Sequence, residues 1–348
     1  WILTLLRVTV TPIGGLMTDQ DRSEHVFAKL SPDFILSAIE DNGLRCDGRI
    51  LELNSYENRV YQIGVEDDQP VIGKFYRPKR WSDEQILEEH AFSSELLAAE
   101  LSVVAPEYNE AGQSLLTFEG FRFALFERKG GRAPELDRDE NLEIMGRVLG
   151  RMHNIGASQT FKHRPTLSLQ SFGFDSVEYL CKNWIPSELL NAYQSLSSDL
   201  LSILEGRMAS VSALKQLRVH GDCHIGNVLW RDNIAHFIDF DDCRTAPAIQ
   251  DIWMLLSGSR EEQRHQLMCI LDGYEEFMDF DRRELALIEV LRTLRMFYFT
   301  AWLARRWDDP AFPRGFPWFN TPRYWEEHIL HLREQLGVLQ EPAIELFP

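Results

Sequence analysis

The chain is short of long apolar runs, of paired cysteines, of positive charge and of clustered glycine. Its 348 residues contain no apolar stretch of about 18 residues, the length a helical membrane span needs. Cysteine occurs five times, as Cys46, Cys181, Cys223, Cys243 and Cys269, an odd and scattered set without a C-x-x-C pair. That argues against a disulfide framework and for free thiols in a reducing compartment, hence a cytoplasmic protein. Lys and Arg number 36 against 54 Asp and Glu, a formal net charge of −18. Such a surface suits neither nucleic acid nor an anionic membrane, which both attract a basic excess. No G-x-G-x-x-G phosphate loop is present either.

What is present is ordinary globular material, 44% apolar and 26% charged, in a chain long enough for two lobes without structural metal. The opening WILTLLRVTVTPIGGLM imitates a signal peptide. It lacks a basic start, is interrupted by Arg7 and Pro12, and has no small-residue cleavage site. Residues 1–16 are therefore expected to add nothing to the fold.

Ser31-Pro32 reads as a helix start, with Gly43 as its stop. From Leu51 a β-meander follows through VIGKFYRP, then a helix from Ser82-Asp83 to about Glu100. VVAPEYN, SLLTFEG and FRFALFER read as further strands. Beyond about Asn141 the patterns are mainly helical, over roughly 186–215, 248–256, 261–279, 282–307 and 322–336, with one hairpin, NVLW-RDNI-AHFID. The composition changes at residues 127–135. The expectation is an α+β protein of two lobes, 17–127 with an antiparallel sheet and one helix, and 128–348 mostly helical.

The chemistry concentrates in VHGDCHIGNVLW and AHFIDFDD. Asp222 and Asn227 are five apart on a glycine-flanked loop, and Asp239 follows twelve residues after Asn227. A hairpin between them would return Asp239 beside Asn227, giving hard oxygen ligands suited to magnesium. The spacing is that of a phosphoryl-transfer site. Turn-capping side chains are the plainer alternative for any one of these residues. A second reading takes His220, Asp222 and His224 as an H-x-D-x-H zinc set, and a third is a nucleotide-binding scaffold without turnover.

HGDxHxxN followed by IDFDD resembles the aminoglycoside phosphotransferase and choline kinase branch of the protein-kinase-like fold. The runs NSYENRVYQ, KFYRPKRW, QILEEH, PAIQDIWMLL and WDDPAFPRGFPW are closer to bacterial serine/threonine kinase members of that family, over about residues 30–348. The resemblance implies ATP and Mg2+ as cofactors, Asp222 as acceptor of the hydroxyl proton, and Asn227 and Asp239 as magnesium ligands. Asp239 thereby also belongs to the catalytic set. It makes His220 structural and Asp251 a brace for the catalytic loop.

Lys74, mid-strand, would meet the nucleotide phosphates and a helix glutamate. That partner is Glu88 or Glu89, with Glu88 favoured because Phe92 lies four residues on. Ser55, in the non-glycine turn 54–58, matches a nucleotide-contact position, and Glu127 lies in the connector that would bond adenine. The acceptor is a protein serine or threonine, the chain itself included, in a stress response. A small alcohol of choline, homoserine or aminoglycoside type is the alternative. The expected molecule is a monomer that binds neither nucleic acid nor membrane. Arg292, Arg295, Tyr298, Trp302, Arg305 and Arg306 lie at helical spacings, either an aromatic–arginine face that reads a substrate or, the favoured reading, packing with an arginine–carboxylate network. Cys223 and Cys243, placed about the hairpin, are considered as a redox pair.

Overall fold

The computed structural model describes residues 26–211 and 213–346. The expectation for residues 1–16 lies outside them. Ser31 caps helix α1 (Pro32–Glu40), its hydroxyl accepting the Phe34 amide at 3.2 Å. Three strands follow, β1 (Cys46–Leu53), β2 (Arg59–Val65) and β3 (Val71–Phe75), then helix α2 (Asp83–Ala98) and strands β4 (Leu116–Phe118) and β5 (Phe121–Glu127). All pair antiparallel in the order β1-β2-β3-β5-β4. Alternation of side chains along the strands sends Tyr61, Ile63, Phe75, Phe123 and Leu125 into a core shared with Ile35, Ala38 and Ile39 of α1. Helix α2 carries a Ser82–Gln85 capping box and divides its apolar face. Ile86 packs under the sheet, whereas Phe92 and Leu96 join the core of the second lobe.

That lobe contains α3 (Asp139–Gly156), α4 (Asp175–Asn183), α5 (Ser187–Ser210), the short α6 (Ile249–Ile252), α7 (Arg260–Tyr274), α8 (Ile288–Arg305), α9 (Ala311–Gly315) and α10 (Pro322–Gln340). Two small antiparallel pairs lie at the lobe junction, β6 (Leu217–Val219) with β9 (Arg244–Ala246), and the hairpin β7 (Val228–Arg231)–β8 (Ile234–Phe237). The hairpin turn places Asp232 and Asn233 at φ 53° and 59°, the left-handed pair that suits a two-residue hairpin.

Several expectations change. VVAPEYN forms only isolated bridges, Val103 to Phe237 and Pro106 to Phe126, because proline removes a ladder donor. Strand β1 starts at Cys46 rather than Leu51, and its mostly exposed, bulged course hides the usual alternation. A π-helical turn at Gln170–Phe174 leads into α4 without a side-chain cap, so no start signal marks it. Strands β6 and β9 are three residues each, too short for periodicity to register.

A turn of the sheet lobe clasps the helical lobe. The turn 54–58 reaches α8 and α9: Tyr56 packs on Phe312 and Phe316, and Glu57 bonds Trp302 and Arg306. Arg59 and Arg77 both pair with the buried Asp309, at 2.8 and 2.7 Å.

Helices α3 and α7 cross at backbone contact. A Cβ on Gly146 would overlap the Ile270 carbonyl, and one on Gly273 the Glu143 carbonyl. Gly146→Ala should therefore destabilise the protein by about 1–3 kcal/mol, read as a lower melting temperature. An unchanged melting temperature would show that the crossing can yield.

Candidate active site

Strand β6 delivers His220, Gly221 and Asp222 into a tight loop. Gly221 adopts φ 83°, and a Cβ there would overlap the Asp242 carbonyl. The loop hangs from Asp251, whose two carboxylate oxygens accept the His220 and Gly221 amides, each at 2.8 Å. Asp251 also meets His153 Nε2 at 3.0 Å, and His153 Nδ1 lies 3.0 Å from the Tyr274 hydroxyl. All three side chains are buried. Burial alone would raise the Asp251 carboxyl; the His153 and Gly221 hydrogen bonds outweigh it and hold the group below its usual range.

His220 is structural, as expected. Its Nε2 donates to the Ile238 carbonyl at 2.9 Å, and Nδ1 faces the Asp222 amide at 3.4 Å. Both nitrogens are committed, so the zinc set His220–Asp222–His224 is not formed. His224 lies 3.5 Å from Asp222 and caps the turn that follows by accepting the Gly226 amide.

The hairpin returns Asp239 beside Asn227. Val228 pairs with Phe237, and the Ile238 amide bonds the Asn227 carbonyl at 3.0 Å. Asn227 Nδ2 donates to the Asp222 carbonyl at 2.9 Å, which commits the amide nitrogen and leaves Oδ1 as the atom able to ligate a metal. Asp239 is held at φ 59°, its carboxylate half-exposed. An asparagine oxygen beside an accessible carboxylate is a hard, all-oxygen donor set, and it fits magnesium.

Across the cleft, Lys74 of β3 is buried. Its Nζ meets Asp239 at 2.9 Å, Glu89 at 3.4 Å and Asp241 at 3.5 Å. Burial would lower its pKa, but these three carboxylates raise it well above the ordinary value. Glu89, also buried, is lifted to about 7 by burial against the pull of Lys74. The favoured Glu88 is thus replaced by Glu89. Glu88 points to the other lobe, where it accepts the Lys162, His163 and Arg164 amides at 2.6, 2.8 and 2.8 Å. Glu89 shares its helix face with Phe92, three residues on, and i+3 spacing competes equally with i+4.

Ser55 lies in the clasping turn between β1 and β2, and Glu127 ends β5 with its side chain exposed toward Lys129. Further residues that the motif reading did not place at the site complete it. Arg80 pairs with Asp241 and with Asp242, and Arg164 bonds the backbone of Asp241 and Cys243. Arg295 of α8 lies 2.8 Å from Asp222. Asp241 was visible in IDFDD and Arg295 in the helical stripe, where an arginine–carboxylate network was expected, whereas Arg80 and Arg164 carry no spacing signal. Asp222 is partly buried, and desolvation would raise its carboxyl; Arg295 and His224 instead hold it well below the carboxylate range. Cys223 and Cys243 are wholly buried, and burial pushes the Cys243 thiol up to about 12, conditions that keep thiols inert.

The profile of the phosphotransferase enzyme family matches residues 49–288. The chain belongs to that family. This phosphotransferase is 46% identical to "Stress response kinase A" of Escherichia coli K12 over 330 residues, 94% of this chain and 99% of that one. It is 44% identical to "Serine/threonine protein kinase RdoA" of Salmonella typhimurium over 324 residues. That match covers 92% of this chain and 97% of its counterpart. An amicoumacin kinase solved with AMP-PNP and Ca2+ superposes with TM-score 0.70 at 20% identity, covering 91% of this chain and 96% of that one. The two-lobe protein-kinase-like fold is thereby established. No described helix is long and apolar enough to cross a membrane.

Asp251→Asn should cost about 2–4 kcal/mol at neutral pH. Because the folded carboxyl is depressed, its stabilisation is full above the unfolded value near about 4 and fades as pH falls through the folded value. Denaturant titrations of the phosphotransferase and the variant should therefore converge in acid. A gap that persisted there would mean that charge is not what braces the loop.

Proposed function

We propose that this phosphotransferase transfers the γ-phosphoryl group of ATP, with magnesium, to serine and threonine hydroxyls of proteins, itself included, in a stress response. The observation that carries the reading is the convergence of Asp222, Asn227, Asp239 and Lys74 from separate elements onto one cleft. The similarity to two named protein kinases over more than nine-tenths of the chain supports the protein acceptor.

In this reading Lys74 holds the phosphates and Glu89 positions Lys74. The connector at Glu127 offers backbone to adenine, and the turn with Ser55 covers the phosphates; Glu88 belongs to the lobe contact. Asn227 and Asp239 would hold magnesium, which would supply neutralisation of phosphate charge. Asp222, kept as carboxylate by its neighbours, accepts a hydrogen bond from the acceptor hydroxyl and aims its oxygen at phosphorus. A loose phosphoryl transition state asks mainly for such aim and for charge neutralisation. The lobes divide at 127/128, and the protein acts as a cytoplasmic monomer away from nucleic acid and membrane.

A small-alcohol acceptor is the second reading, and one observation favours it. Only residues 240–248, containing β9, separate Asp239 from α6, so no extended peptide-docking segment lies there.

Asp222→Ala should lower transfer of labelled phosphate by about 100-fold or more, with fold and nucleotide affinity kept. Asp239→Ala should abolish the magnesium dependence of nucleotide binding. The assay is run against generic proteins, the protein itself and amino alcohols. Near-normal transfer by Asp222→Ala would remove the mechanism, and labelling of amino alcohols alone would favour the second reading.

A further inference from the structure

The arginines of α8 and its C-cap, Arg306, differ in what neutralises them. Arg292 pairs with Glu289 of its own helix at 3.0 Å, and Arg306 with Glu57 of the clasping turn at 3.0 Å. Arg295, on the same face as Arg292 and Tyr298, instead faces Asp222 at 2.8 Å, the carboxylate that must receive the acceptor. Any hydroxyl that reaches Asp222 brings its substituents within range of this guanidinium.

The adjoining wall is of the same character. Tyr298 stacks on Phe172 with centroids 4.2 Å apart, and the Arg244 guanidinium lies 4.8 Å from the Phe172 ring. Arg244 and Arg80 share Asp242, at 2.9 and 3.0 Å. The carboxylates here, Asp222, Asp241 and Asp242, are thus already engaged by arginine. An ammonium group entering beside the acceptor hydroxyl would meet guanidinium and no uncommitted carboxylate among them. A carboxylate or phosphate would meet a planar donor fork with N–H groups to spare, which binds such oxygens in pairs.

We propose that Arg295 makes the acceptor site anion-selective, so that the phosphorylated serine or threonine is one flanked by an acidic or phosphorylated residue, and ammonium-bearing alcohols are rejected. The inference rests on the phosphotransfer reading above and adds the acceptor class to it. Selection is by charge on both sides: attraction of the flanking anion and repulsion of a flanking cation at the same guanidinium.

The test uses serine peptides identical except for one flanking position, filled by Asp, phosphoserine, Gln or Arg, together with aminopropanol, and reads kcat/KM with labelled ATP. The protein should prefer the acidic peptides over the Arg peptide by about tenfold or more, and the Asp and phosphoserine arms show which anion it takes. Arg295→Glu should invert that order, whereas Arg295→Lys should keep it at a lower rate. Melting temperature and fluorescent-nucleotide binding, measured on each variant, separate acceptor selection from loss of fold. If Arg295→Glu is unfolded, the retained order in Arg295→Lys and its collapse in Arg295→Gln serve the same purpose. Equal use of all peptides, a preference for the Arg peptide, or an order unmoved by Arg295→Glu overturns the proposal while leaving phosphotransfer intact. Nucleotide binding with no transfer to any acceptor would instead overturn the phosphotransfer reading and this inference with it.

Discussion

Buried charge shared between the two lobes sets the geometry of this protein. Lys74 and Arg80 come from the sheet side, and their carboxylates, Asp239, Asp241 and Asp242, follow the hairpin of the helical side. The relation repeats where Arg59 and Arg77 meet Asp309. An ion removed from water without a partner is strongly destabilising, so neither half can leave the other without exposing these groups. Pairs of this kind contribute little net stability, because desolvation offsets attraction. Their effect is to fix register between the lobes.

The loop bearing Asp222 is governed by the same logic on a smaller scale. Asp251 is buried among donors, and its two oxygens define where two successive amides must lie. Tight glycine packing at Gly221 removes the remaining slack. Glu88 performs a related task for helix α2, taking three consecutive amides of residues 162–164, while Arg164 of that segment holds the backbone of Asp241 and Cys243. The helix that positions Lys74 and the loop that carries the aspartates are therefore one connected frame. Activity in such a fold depends on positions being held before substrate arrives.

Much of this was legible in the residues. The β7–β8 hairpin followed from NVLW-RDNI-AHFID, and with it the return of Asp239 to Asn227, because a two-residue turn forces register. The caps at Ser31 and Ser82 marked two helices correctly. Failures fell where local pattern is weak: the bulged edge strand β1, the three-residue strands β6 and β9, and the uncapped run through the π turn into α4. Glu88 and Glu89 are adjacent, so spacing to Phe92 could support either. Only the angle of α2 to the sheet puts Glu89 on Lys74.

The sequence by itself singled out Asp222, Asn227, Asp239 and Lys74 as the candidate site, since they sit in short motifs whose turns and strand phases are local matters. Tertiary structure alone decided their partners. Arg295 reaches Asp222 from a helix more than 70 residues later, Arg80 reaches Asp241 from the other lobe, and Arg164 holds the Asp241 backbone from a distant loop of the same lobe. Long arginine side chains bridge elements regardless of sequence separation, so their pairing is a property of how the elements stack.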